Sequence, residues 1–219
     1  MEAKFQISEV ITTSWKAVKS QIWVLVGLFV GYTIISSIIS MFTMPSDPYE
    51  GSVFTLRTGI AYLISLIITS LFTLGYIKNL FQTLDGEEPQ FSAYGQQARK
   101  VITNMVATIL FSIIVTIGCI FFIIPGIYLG IRLQFFSAFI VQENAGILDS
   151  LRMSWNITKG SVGKLFLLGL AVIGICILGL IVLIVGVFVA VPVICMMYCY
   201  AFRKLYPNPL ELNIDEPME

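Results

Sequence analysis

Four stretches of this chain are almost free of charge. Residues 20–46, 58–77 and 165–202 hold no Asp, Glu, Lys or Arg, and residues 101–142 hold one, Arg132. A hydrocarbon core of about 30 Å is crossed by about 20 helical residues. The first two windows therefore predict one span each. The last two are too long for one span and suit two, divided at Pro125-Gly126 and at Gly186. Six spans follow, near 22–43, 54–81, 102–124, 127–143, 163–184 and 187–205, with Pro192 as an alternative break in the last window.

Composition narrows the function classes. Apolar residues make up 57% of the 219, and charged residues only 12%. A soluble domain carries about 25% charged residues, so this chain cannot cover a water-facing surface. Lys+Arg and Asp+Glu are 13 each, which leaves no concentrated basic footprint for nucleic acid. Histidine is absent, which removes Ser-His-Asp and Cys-His catalysis and His-bound zinc. Cys119, Cys176, Cys195 and Cys199 all lie in apolar runs, so they read as packing residues rather than a disulfide framework. No metal and no cofactor is expected. The first apolar run starts near Ile22 and lacks a small-residue cleavage site, so it reads as a retained span and not a signal peptide.

Orientation follows from Lys and Arg, which accumulate on the cytoplasmic side of a membrane. Lys4, Lys16, Lys19, Lys78, Arg99, Lys100, Arg152, Lys159, Lys164, Arg203 and Lys204 fall in one set of connections, and Arg57 in the other. Both termini are therefore expected in the cytoplasm, in the inner membrane. The expected outer connections are 44–53 and turns at Pro125-Gly126 and Gly186. The tail 206–219 contains Pro207, Pro209 and four acids and reads as a disordered cytoplasmic end.

Three spans are preceded by an amphipathic stretch. Ile7, Val10, Ile11, Trp15 and Val18 share one helical face, with Glu9, Thr12, Thr13, Lys16 and Lys19 opposite and Ser8 as a cap. Phe91, Tyr94, Ala98 and Val101 repeat this, opposite Gln96, Gln97, Arg99 and Lys100. Ile147, Leu148, Leu151 and Trp155 repeat it again, opposite Asp149, Arg152, Asn156 and Lys159. These predict helices lying in the inner interface, apolar face down. Trp15, Tyr94 and Trp155 are the expected anchors at headgroup depth. The expected fold is all-α: a single polytopic domain over 1–205 with six transmembrane helices and three interfacial helices. A three-fold internal repeat, 5–83, 91–143 and 146–205, fits this grammar. So does the alternative that any amphipathic lead into a span looks the same.

Arg132 is the main candidate site residue. An ionisable group within a span is costly and should face the bundle with a partner. Glu143 shares its helix face but lies about 16 Å further along the axis. Gln134, Gln142 and Asn104 are uncharged candidates. Three readings stand side by side. Arg132 binds an anion through its bidentate fork, or locks the Pro125-Gly126 turn, or snorkels to outer headgroups. Arg152 adds positive charge nearby, and Glu143 and Asn144 mark an inner mouth, with Asn144 expected to cap a helix. Gly27-x-x-x-Gly31 and Gly126-x-x-x-Gly130 suit close helix approach, within one bundle, a homo-oligomer, or with another membrane protein.

The run Ile124-Pro125-Gly126-Ile127-Tyr128-Leu129-Gly130-Ile131-Arg132, followed by Ile147-Leu148-Asp149-Ser150-Leu151-Arg152-Met153-Ser154-Trp155-Asn156-Ile157-Thr158-Lys159-Gly160, resembles the membrane domain fused to some bacterial glycerophosphoryl diester phosphodiesterases and its stand-alone relatives. Ile147 stands where that pattern has Ala, while Ser154, Trp155, Thr158, Lys159 and Gly160 match. Phe5-Gln6-Ile7-Ser8 is also similar. The fused members' phosphodiesterase domain has no room here, so the resemblance does not imply that activity. It implies a membrane unit near phospholipid headgroups or their breakdown products. The expected function is non-enzymatic binding of membrane lipid or a lipid-derived anion, as a scaffold or accessory in envelope processes. The alternatives are a transporter or channel for a small anion, with Arg132, Gln134, Asn104, Ser112, Thr116 and Ser137 lining its path, and an intramembrane enzyme using Glu143, tyrosines or cysteines.

Overall fold

A computed structural model describes residues 6–43, 56–181 and 183–207. The expected connection 44–53 and most of the expected disordered tail lie outside them. The chain is all-α. In order, it forms α1 (Ile7–Ser20), α2 (Ile22–Thr43), α3 (Leu56–Leu84) and α4 (Ser92–Gln97), which continues as a 3-10 turn over Ala98–Lys100. Then come α5 (Val101–Phe121), α6 (Ile123–Leu133), α7 (Phe136–Glu143), α8 (Ile147–Ile157), α9 (Val162–Ile181) and α10 (Leu183–Leu205). Among the described residues, six helical stretches are long and apolar enough to cross a membrane.

The spans form three hairpins, α2–α3, α5–α6/α7 and α9–α10, and these close into a ring. α3 meets α5, α6 meets α9, and α10 returns to α2. Each amphipathic helix packs on the hairpin before it in the same cyclic order: α4 on α3, α8 on α5, α6 and α7, and α1 on α10. The second span of each hairpin faces inward. Burial reaches 33%, 50% and 44% in Thr58–Leu84, Ile123–Glu143 and Gly186–Leu205, against 11–17% in the other three. An apolar helix that is mostly exposed needs a lipid solvent, so α2, α5 and α9 form the lipid-facing layer.

The centre is filled. Every residue of α7 from Phe136 to Val141 is buried. The Phe202 ring lies 4.9 Å from Phe139, 5.7 Å from Phe81 and 5.9 Å from Phe135. A polar knot ties three spans together: Asn104 Nδ2 donates to Ser70 Oγ at 2.9 Å, and Ser137 Oγ donates to Asn104 Oδ1 at 2.9 Å. Ser70 Oγ in turn donates to the Val101 carbonyl. Asn104 and Ser137 are thus used up by structural bonds. Ser112 and Thr116 are exposed on α5 and line no path through the bundle.

Several sequence expectations shift. The turn between α5 and α6 is at Phe122, in extended conformation, and not at Pro125-Gly126. Pro125 sits in the first turn of α6, where a missing N–H breaks no helical bond. In the last window α9 ends at Ile181 and α10 starts at Leu183, and α10 runs unbroken through Pro192. The fourth span is two helices, α6 and α7. Ser8 lies inside α1, whose N-terminus has no side-chain cap. Tyr206, assigned to the tail, meets the Phe139 ring edge to face at 5.2 Å.

The amphipathic helices bury only part of the apolar face that their periodicity predicts. Their buried stripes are Val10-Ser14-Val18 on α1, Ala93-Gln97-Val101 from α4 into α5, and Ser150-Ser154-Thr158 from α8 onward. Each repeats every fourth residue with a polar side chain at its middle. The bulky residues beside the stripes remain outside: Trp15, Phe91, Leu148 and Trp155 are all exposed. Gln97, expected on the water side, is buried. The apolar arc is therefore shared, one edge packing on protein and the other facing the surroundings.

Candidate functional site

The break between α6 and α7 builds the site. Ending a helix frees backbone groups that must find partners when buried. Ser154 Oγ donates to the Arg132 carbonyl at 3.0 Å and accepts the Phe135 N–H at 3.0 Å. Thr158 Oγ1, one turn along, lies 2.9 Å from the Ser154 carbonyl and 3.2 Å from the Arg132 carbonyl, so its one proton is shared between them. Tyr198 Oη donates to the Gln134 carbonyl at 3.1 Å. Hydroxyls from α8 and α10 thus seal a backbone break inside the bundle. Each such buried group would cost about 1–3 kcal/mol if left unpaired.

Sealing the break fixes the Arg132 side chain. Arg132 is only 4% exposed. Its guanidinium carbon lies 4.1 Å from the Trp155 ring centroid and 5.8 Å from that of Tyr128. The two rings meet edge to face at 6.0 Å. A cation over Trp gains about 2 kcal/mol when desolvated, which offsets part of the burial cost. Arg132 Nε is buried without a hydrogen-bond partner, and no carboxylate pairs with the guanidinium among the described residues. A cation in this position lacks a counter-charge.

The rim is open. Tyr128 and Trp155 are 43% and 36% exposed. Arg152 and Lys159 are exposed too; Arg152 lies one turn before Trp155 on α8, and Lys159 lies just past the end of that helix. The arrangement is a guanidinium clamped by two rings beside two exposed cations. It suits an anionic group with several oxygens.

The other candidate residues divide. Gln134 joins the site through its backbone only, and Asn104 and Gln142 do not bond to Arg132. Asn144 caps the end of α7, adopting the left-handed conformation (φ 53°) with its N–H donating to the Phe139 carbonyl. Glu143 is exposed at the charged end of the bundle and lines a separate cleft. Trp15 is 46% exposed beside α9 and α10. Tyr94 turns inward: a Cβ added at Gly75 would run into its ring, and its hydroxyl is buried. It packs on α3 rather than standing as a headgroup anchor. Sequence reasoning missed Tyr128, although it lies one helical turn from Arg132. It also missed Tyr198, for which the local sequence gives no sign. Among the described residues no cluster of His, Cys, Asp and Glu is suited to a metal.

No family model matches the chain, and no solved structure matches it. Uncharacterised proteins of Mycobacterium tuberculosis and Mycobacterium bovis are each 25% identical over 131 residues, which is 60% of this chain and 40% of theirs. The match thus spans less than half the length of these relatives.

Proposed function

We propose that this is a non-enzymatic protein of the cytoplasmic membrane that holds the phosphate of an anionic phospholipid, or of a lipid-derived anion, at Arg132. It would serve as a scaffold or accessory in envelope processes. The carrying observation is the buried guanidinium, stacked on Trp155 and without a carboxylate. An anion supplied by the bilayer completes that charge. Exposed Arg152 and Lys159 attract it. The positive-inside rule favours a cytoplasmic side for the charged end of the bundle, both termini and α8. The likeness of the Pro125–Arg132 and Ser154–Gly160 segments to the phosphodiesterase-associated membrane domain favours the same ligand chemistry.

Ligand binding to the folded state raises the melting temperature. In neutral detergent, added phosphatidylglycerol should raise it more than phosphatidylcholine does. Arg132→Gln should abolish that difference, and Arg132→Lys, which keeps the charge but loses the planar fork, should keep part of it. Equal shifts from both lipids in the wild type would sink the proposal. Proteoliposomes should show no flux of inorganic phosphate or glycerol phosphate; Arg132-dependent flux would favour the transport reading instead.

A further inference from the structure

The inner helices α3, α7 and α10 end together at the charged end of the bundle. Between their last turns lies a cleft of about 240 Å³, lined by Phe81, Gln142, Glu143, Phe202, Arg203 and Tyr206. At about 30 Å³ per water, it has room for a solute of a few heavy atoms. The cleft is separate from the Arg132 site, which lies eleven residues before Glu143 and opens between α6 and α8.

Its lining carries one anion, Glu143, and one cation, Arg203. Arg203 is paired with Asp85 at 2.6 Å and lies 5.7 Å from the Phe81 ring centroid. Glu143 has no hydrogen-bond or ion-pair partner among the described residues. It also stands at the C-terminus of α7, where the helix dipole disfavours an anion and favours a cation. The ends of α3 and α10 present the same dipole sign to the cleft. Lys100 answers one such demand, with Nζ donating to the Val141 carbonyl at 3.0 Å, but Lys100 does not line the cleft. Aromatic rings, Phe202 and Tyr206, complete the wall, and ring faces attract organic cations.

We infer that this cleft binds a small organic ammonium ion, with Glu143 as the counter-charge and Tyr206 against its carbon skeleton. A metal ion fits less well, because a single carboxylate and an amide do not supply the six or more oxygens that a hard cation takes.

Saturation-transfer NMR on the full chain in phosphatidylcholine nanodiscs tests this, with ethanolamine as the probe and ethylene glycol as the uncharged probe of the same size. The wild type should saturate ethanolamine above empty nanodiscs and leave ethylene glycol at background. Glu143→Gln, a near-isosteric change at an exposed position, should weaken ethanolamine binding about five-fold, the weight of one exposed charge contact. Tyr206→Leu should weaken it as well, and Arg132→Gln should leave it unchanged, which separates this site from the lipid site. Adding phosphatidylethanolamine distinguishes sources: a reduced ethanolamine signal means that lipid headgroups supply the ammonium, and an unchanged signal means a soluble amine does. Equal saturation of both probes, or no effect of Glu143→Gln in protein that keeps its melting temperature, would overturn the inference.

Discussion

Ser154 serves two backbone groups at once, the Phe135 N–H and the Arg132 carbonyl. Ser154→Ala leaves the N–H with no partner and should cost about 1–3 kcal/mol in detergent unfolding. Thr158→Val leaves the carbonyl with its Ser154 bond and should cost at most ~1 kcal/mol. Equal costs would contradict this division of work. Arg132 itself was legible in the sequence, because it is the single charge in a window of 42 residues. Its company was not. Ser154 and Thr158 stand out in the sequence only as matches to the resembled motif, and no periodicity announces that a hydroxyl will meet a carbonyl 22 residues away. Tyr94 misled for the reverse reason: its ring has a deep seat only because position 75 is glycine.

The hairpins differ in how closely their helices approach. A Cβ on Gly126 would lie 2.2 Å from Cys119 Sγ and 2.7 Å from the Cys119 backbone N. Gly126→Ala should therefore force α5 and α6 apart, at about 1–3 kcal/mol. Gly27 and Gly31 have nothing within 4 Å of an added Cβ, so Gly27→Ala and Gly31→Ala should be neutral or stabilising by up to ~1 kcal/mol. Detergent denaturation of the three variants distinguishes the two glycine pairs, which look alike in sequence. Spacing alone does not tell which face of a helix meets a neighbour. α1 is held to α10 by Glu9, which pairs with Lys204 at 2.8 Å and accepts the Tyr200 hydroxyl at 2.8 Å. The Lys204 hydrogen bond, then that of Tyr200, holds the Glu9 carboxyl below its ordinary pKa. A depressed carboxylate pKa adds stability that is complete above the unfolded value and is lost as pH falls through the folded one. Melting temperature should therefore fall over that acid range, and Glu9→Gln should lower the neutral-pH value and flatten the fall. An unchanged profile in the variant would show that the latch is idle.

The molecule is a ring of three hairpins, closed where α1 and α10, at opposite ends of the chain, meet. The six spans were legible, since charge-free length is a one-dimensional property set by bilayer thickness. The closure was not, because nothing local ties Glu9 to a residue 191 positions away. In the three amphipathic-helix seats, the junctions differ where it matters. Tyr94 rests on Gly75, Trp15 stands beside the apolar α9–α10 hairpin, and Trp155 covers a guanidinium. Only the last of these seats places a cation under its aromatic ring, so an anionic ligand should bind there. Native mass spectrometry from mild detergent, wild type beside Arg132→Gln, tests this most directly. An anionic phospholipid should be retained by the wild type and lost from the variant, with the oligomeric state unchanged. Spectra with the same bound lipid in both, or with none in either, would contradict it.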